Sequence, residues 1–418
     1  MAAVRRRVVI TGCGLITAVG NDVSSNWEAL LAGKSGGATI TLFDPTDQPV
    51  RFAAEVKDFD PTQYLDRKEV RRTDRFTHFA LVATAQAWEA AGLSANPPNV
   101  DPERFGVITG SGIGGITTLE QQHRVYLDRG PERVSPFFVP MFIADMAPGL
   151  ISMKYRAKGP NYTTVSACAS GGHAIGNAFK LIQRGAADMM VTGGAESSVT
   201  PLTMAGFASM KAISFRNEAP ELASRPFDAN RDGFVLGEGC GMLVLEELES
   251  ARARGAPIVA ELVGYGVTAD AHHITAPAPE GEGAQRAMRM ALEDAGAEPS
   301  EVDYINAHGT STPLNDISET QAIKAVFAEH AYDLVASSTK SMTGHTLGAA
   351  GGVETVITAL TAREGKIPPT INFSDADPEC DLNYAHNQVV EKPVRLALSN
   401  SFGFGGHNVC LAIRRWDD

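Results

Sequence analysis

Cysteine is scarce in this 418-residue chain. There are five, Cys13, Cys168, Cys240, Cys380 and Cys410, widely spread and with no C-x-x-C pair among them. That spacing argues against a disulfide framework and a structural zinc site, and for a reducing, cytoplasmic compartment. No apolar run reaches the roughly 18 residues that a membrane-spanning helix needs, so no span is expected. The opening, MAAVRRRVVITGCG, is basic and then briefly apolar. Gly12 and Gly14 interrupt it too early for a secretory leader, and no small-residue cleavage pattern follows. Positive charge is in deficit: 36 Lys and Arg face 49 Asp and Glu, a net charge of −13. Bulk binding to nucleic acid is not expected of such a chain, and an acidic partner would need a local basic patch.

Glycine, by contrast, is plentiful at 41 residues, clustered where short apolar stretches end. Residues 7–11 predict a strand followed by a glycine-rich turn, and a helix is expected near 26–32. Residues 74–92 carry the spacing of an amphipathic helix closed by Gly92. FGVITGSGIGG at 105–115 predicts a strand running into a G-x-G-x-G-G string. A dinucleotide loop would look similar, but YLDRGPERV around Asp128 does not resemble the second strand of such a unit. The apolar, Pro-broken SPFFVPMFIADMAPG suits a pocket wall or a subunit contact. From residue 256 the order repeats. IVAELVGYGV echoes VVITGCGLIT, AQRAMRMALEDAG echoes the helix at 74–92, and STKSMTGHTLGAAGG echoes SACASGGHAIGNA. Aligning His345 with His173 sets Lys340 opposite Cys168. The expectation is an internally duplicated α/β fold, with halves 1–255 and 256–418.

The rest of the chain is organised around NYTTVSACASGGH, residues 161–173. Tyr162 to Val165 are β-branched and aromatic and predict a buried strand. The small residues after Cys168 lead into a helix, so the sulfur is expected at a strand–helix junction. Free N–H groups at a helix start favour negative charge, which would make the thiol lose its proton more easily. A buried structural cysteine is the alternative.

Three more stretches end strands in polar residues and glycine: NAHGTSTPLND (306–316), STKSMTGHTLGAAGG (338–352) and SNSFGFGGHN (399–408). His308 follows one strand, and His345 is expected to begin a helix. Cysteine with two imidazoles allows a His₂Cys metal site, although no ligand spacing supports one. It also suits acyl chemistry: the sulfur holds an acyl group as a thioester, and imidazole N–H groups donate to an enolate oxygen. FGFGG supplies backbone N–H groups for an oxyanion, with Phe404 able to close over the sulfur. Lys340 could be a buried cation ordering the network, with Glu354 its partner, or simply a surface lysine.

VSACASGG, NAHGTSTPLND, TKSMTGHTLGAAG and NSFGFGGHN together resemble the β-ketoacyl-[acyl-carrier-protein] synthases, the condensing enzymes of fatty-acid synthesis, and among them the elongating type II form. The resemblance runs over roughly residues 5–415. It implies the thiolase fold, a five-layered α-β-α-β-α duplication, a homodimer, and no cofactor. By motif, Cys168 would be the acylated nucleophile. His308 and His345 would serve the malonyl thioester and its enolate, and Lys340 would order the site beside Glu354. The N–H groups of Cys168 and Phe404 would form the oxyanion hole. Thr310 and Thr312 would contact a phosphopantetheine arm, while Ile113, Phe402 and Phe404 would line the substrate pocket. Asn306, Glu354, Ser399 and Asn400 resemble a structural monovalent-cation site of some members; no catalytic metal is implied. His407 stands where many members carry Thr.

The implied partner is acyl carrier protein, which is acidic. DRKEVRRTDR supplies a basic cluster with Arg67, Lys68, Arg71, Arg72 and Arg75, in which Arg71 and Arg75 would share one helix face. Lys211 resembles a further docking residue. In the alternative, these charges pair with Asp66, Glu69 and Asp74. The implied activity is decarboxylative condensation that lengthens an acyl chain. Its rivals are a polyketide-type ketosynthase with the same chemistry, thiolase-like cleavage, which favours a second cysteine, and a silent partner subunit, which would lack the nucleophile.

Overall fold

The structure is a computed structural model that describes residues 5–94 and 100–417. Ten strands form the main sheet: β1 (Val8–Ile16), β2 (Phe105–Gly110), β3 (Asn161–Thr164), β4 (Met189–Glu196), β5 (Gly239–Glu247), β6 (Ala260–Ala269), β7 (Tyr304–Asn306), β8 (Val335–Ser337), β9 (Leu396–Gly403) and β10 (His407–Arg415). Their spatial order is β8-β7-β9-β10-β6-β1-β5-β4-β2-β3. Each half therefore reads outward from the centre in one pattern, β1-β5-β4-β2-β3 and β6-β10-β9-β7-β8, the second being the first with five added to every number. The duplication expected from the sequence is thus present in the topology. β1 and β6 join the halves as antiparallel neighbours, Val8 opposite Leu262.

The first glycine cluster lies inside β1 and not in a turn after it. Helix α2 (Arg75–Ala90) packs so closely on this strand that a Cβ at Gly12 would lie 2.0 Å from the Ala87 carbonyl, and one at Gly14 1.9 Å from that of Ala83. The same device recurs in the second half. Against α4 (Glu282–Ala295), a Cβ at Gly264 would lie 2.2 Å from the Ala291 carbonyl, and one at Gly266 1.9 Å from that of Ala287. Absence of a side chain is what lets a helix backbone approach a strand this closely.

Between the halves lie α3 (Ser170–Gln183) and α6 (Ala350–Glu364), which pack on each other and on strands of both halves. Helix α6 is buried continuously from Ala350 to Ala362. A helix enclosed on all sides needs no polar face, and its Thr355 and Thr358 hydroxyls are spent on the Gly351 and Glu354 carbonyls. With α2 covering one outer face and α4 with α5 (Pro313–Phe327) the other, the layers run α-β-α-β-α.

The strand Tyr162–Val165 differs from expectation. β3 is the sheet edge, bonded only to β2, and Tyr162 and Val165 are 41% and 64% exposed. β-Branched and aromatic composition marks a strand, but which neighbours cover it is a tertiary matter. All five cysteines are unpaired and buried. Among the described residues no helix is long and apolar enough to cross a membrane.

Candidate active site

Cys168 sits one residue before the cap of α3, on a sharp elbow: Ala167 has φ 49. A left-handed alanine costs about 1–2 kcal/mol, and strain of this kind concentrates at functional positions. The elbow aims Sγ into a cavity of about 480 Å³, shared with Ile113, His308, Thr310, Thr312, His345, Phe402, Phe404 and Lys211. Leu347, with φ 47, lines it too.

His345 Nε2 lies 3.0 Å from Sγ, and the His308 and His345 rings meet edge to face, centroids 5.4 Å apart. Phe402 stands 5.6 Å from His308, and Phe234 5.3 Å from His345. Contrary to expectation, His345 does not begin a helix. Its N–H donates to the Val235 carbonyl at 2.7 Å in a short bridge, and α6 starts five residues later. His308 follows β7, and its own N–H and that of Gly309 donate to Glu319 at 2.8 and 2.7 Å.

The expectation of an easily ionised thiol does not hold for the resting site. Burial pushes the Cys168 thiol up to about 11, opposed chiefly by the Lys340 charge and then by the N–H groups of Phe404 and Cys168. A helix start lowers a thiol's pKa only while water still reaches the sulfur, and here Cys168 is 7% exposed. Burial, and next the Lys340 charge, also hold both imidazoles well below the usual histidine range, so they are neutral. Neither Nδ1 has a hydrogen-bond partner among the described residues. An orphaned lone pair costs less than an orphaned buried N–H, so each ring carries its proton on Nε2. Two neutral N–H donors then accompany the sulfur, as an oxyanion requires. The Cys168 sulfur and a nitrogen of each histidine lie within 4.8 Å of one another. A metal-bound histidine, however, usually donates its second nitrogen to a carbonyl or carboxylate, and neither Nδ1 has such a partner among the described residues.

Lys340 is not a surface lysine. It is 1% exposed and bonded to the Glu354 carboxylate. Around Glu354, four buried oxygens have no hydrogen-bond partner among the described residues: Asn306 Oδ1, Glu354 Oε2, Ser399 Oγ and Asn400 Oδ1. Asn306 and Ser399 face each other across the β7–β9 ladder. Neutral oxygen donors with one carboxylate suit a hard cation, so these four residues fit the monovalent-cation site that the resemblance implies.

The basic cluster lies apart from the cavity and is rearranged. The chain does not run as one helix through it: α1 spans Arg67–Val70, and α2 starts anew at Arg75 with Asp74 as its cap. Arg71 and Arg75 share no helix face. Arg75 is committed inward, paired with the buried Glu238 at 2.7 Å, and Arg72 lies over Phe137 at 4.5 Å. Asp66 and Asp74 spend their carboxylates on helix caps, and Glu69 reaches back to the Asp66 N–H. Lys68 and Arg71 are exposed, and no ion pair within 4 Å holds them among the described residues.

Two carboxylates escape the sequence patterns. Glu319, on α5, clamps the His308 loop and receives Asn400 Nδ2 at 3.1 Å. Glu196 closes the apolar strand β4 and receives the Gly112 and Ile113 N–H groups at 2.6 and 3.2 Å. The glycine string after β2 is therefore already filled by a protein anion, which rules out the dinucleotide reading. For Glu196 the available signal was an acidic residue ending an otherwise apolar strand; Glu319 stands in a helix with several polar and charged residues and carried no such signal.

Residues 5–251 match the family model of the β-ketoacyl synthase N-terminal domain, and residues 259–374 that of its C-terminal domain. The chain belongs to the β-ketoacyl synthase family. It is 57% identical to 3-oxoacyl-[acyl-carrier-protein] synthase 2 of Synechocystis and 53% identical to that of Staphylococcus aureus, each over 412 residues covering 99% of both chains. Among solved structures it resembles a β-ketoacyl synthase of Burkholderia phymatum (TM-score 0.92, 36% identity, 99% and 100% of the chains). It likewise resembles a type II polyketide ketosynthase solved with its acyl-carrier protein (0.90, 35%, 99% and 100%). The fold is thus the ketosynthase, thiolase-like one that the resemblance implied.

Proposed function

We propose that this β-ketoacyl synthase condenses an acyl group held on Cys168 with malonyl-[acyl-carrier-protein], giving CO₂ and a 3-oxoacyl-[acyl-carrier-protein] two carbons longer. The carrying observation is His345 Nε2 at 3.0 Å from the Cys168 sulfur, with neutral His308 beside it. In the first half-reaction Cys168 attacks the acyl thioester, its proton leaving with the carrier's thiol. The N–H groups of Cys168 and Phe404, which oppose the burial-driven rise of the thiol, hold the tetrahedral oxyanion. In the second, His308 and His345 donate to the malonyl thioester oxygen. CO₂ departs, and the enolate carbon attacks the acyl carbonyl, releasing Cys168. Thr310 and Thr312, hydrogen-bonded to each other at 2.9 Å in the cavity wall, contact the pantetheine arm. Incubation with acyl- and malonyl-loaded carrier protein, read by mass spectrometry, is expected to give the 3-oxo product. Carrier protein returned unlengthened would sink the reading. Fatty-acid elongation is favoured over a polyketide role by the 53–57% identity to 3-oxoacyl-[acyl-carrier-protein] synthases, against 35% to the polyketide enzyme.

Carrier protein docks through Lys68, Arg71, Arg72 and Lys211. Lys211 stands at the cavity mouth, and the net charge of −13 makes a local positive patch necessary for an acidic partner. Arg72 has a structural partner in Phe137, so the fair test is Lys68→Glu with Arg71→Glu. KM for carrier-bound substrates should rise about tenfold at low salt and much less at high salt, since rim charges act by screened attraction. Activity on a small acyl thioester should be unchanged. Equal loss on both substrates would remove the patch as evidence of docking.

The chain works as a homodimer paired along β3. An exposed edge strand bearing Tyr162, with the exposed Val165 just past its end, is a template for a second copy. Sedimentation should give about twice 44.3 kDa, and a Val165→Asp variant should sediment as the monomer.

A further inference from the structure

Glu196 is wholly buried at the C-terminal end of β4, and no ion pair holds it among the described residues. Its carboxylate instead receives four hydrogen bonds. Oε1 accepts from Ser111 Oγ at 3.1 Å and the Ile113 N–H at 3.2 Å, and Oε2 from the Gly112 N–H at 2.6 Å and the Gly348 N–H at 3.1 Å. Two segments distant in sequence meet there. One is the loop after β2, whose Ile113 lines the cavity. The other is the turn after His345, which carries Leu347 into the same wall. Ser111 Oγ in turn accepts from the Gly114 N–H at 3.1 Å, so the loop is wound around the carboxylate. The fit leaves no slack, since a Cβ on Gly112 or Gly348 would lie 2.8 or 2.7 Å from Oε2. Every partner is a donor, so only an acceptor satisfies the site.

We propose that Glu196 is a positioning residue that holds the cavity wall at Ile113 and Leu347 in register with the Cys168 thiol, and so sets the discrimination among acyl chains of different length. The inference rests on the acyl-transfer reading above. Glutamine in its place would turn an N–H against an N–H at one oxygen position and release one side of the clamp.

The test measures acylation of Cys168, by intact-protein mass spectrometry, across a carrier-bound series from two carbons upward. In Glu196→Gln the rate ratio between the best and worst chains should shrink about tenfold. Transfer of the two-carbon group, which has least wall to touch, should change less than threefold. Ser111→Ala, which removes a single contact to the carboxylate, should flatten the series in the same direction by about threefold, and it decides the matter if Glu196→Gln does not fold. An unchanged profile, or equal loss for every chain length, would overturn the clamp. Absence of acylation in the unaltered protein would instead sink the acyl-transfer reading.

Discussion

Cys168→Ser is expected to abolish acyl transfer, by about four orders of magnitude. The sulfur lies in the cavity 3.0 Å from His345 Nε2, and a hydroxyl there is a far weaker nucleophile at neutral pH. Intact mass and peptide mapping after incubation with acyl carrier protein should put the adduct on Cys168. The other four cysteines are also buried, and burial pushes the thiols of Cys13, Cys240 and Cys410 far up, opposed at Cys13 by the Arg363 charge. An adduct on any of them would refute the assignment. A second variant separates the half-reactions. Cys168→Gln keeps both imidazoles, so malonyl decarboxylation should persist in it while acyl transfer is lost. His308→Ala and His345→Ala should damage decarboxylation more than transfer, because their N–H groups are needed where the enolate charge develops. Equal loss of both half-reactions in the histidine variants would contradict that division.

Lys340→Ala should cost about 3–5 kcal/mol of stability, because it leaves the Glu354 carboxylate buried without its ammonium partner. Burial already raises Glu354 to about 7, with Lys340 opposing the rise. An acid whose folded-state pKa is raised contributes stability below its unfolded value near 4.5, and loses that contribution as pH rises through the folded one. Without Lys340 the carboxyl is raised further. The variant should therefore lie closest to the unaltered protein at about pH 5 and furthest from it near pH 8. Lys340→Met with Glu354→Gln should recover much of the loss, since an isosteric neutral pair carries no stranded charge. Denaturant unfolding at the two pH values checks this, and a deficit independent of pH would mean that lost packing, not charge, is the cause. We also propose that Asn306, Glu354, Ser399 and Asn400 bind a monovalent cation beside this pair. The unfolding midpoint should then be higher in potassium than in tetramethylammonium at equal ionic strength. Identical midpoints would leave the four oxygens without that ligand.

Much of this protein is legible in one dimension. The chemistry-bearing residues stand in short motifs at strand ends, and His308, His345, Cys168 and Phe404 enter one cavity as the internal repeat and the resemblance of those motifs implied. The repeat of strand, helix and glycine signals across residue 256 carries the duplication, because periodicity and turn chemistry are local properties. Tertiary structure alone decided the electrostatic state of these groups. The Cys168–His345 contact joins positions 177 residues apart, and the Arg75–Glu238 pair positions 163 apart. No local pattern announces that Arg75 turns inward while Arg71 stays in water, that Tyr162 lies on a free edge, or that Glu196 gathers two loops. Burial and pairing depend on which distant segments close over a group. In a medium of low polarity they outweigh the helix-start effect that the sequence around Cys168 suggests by itself.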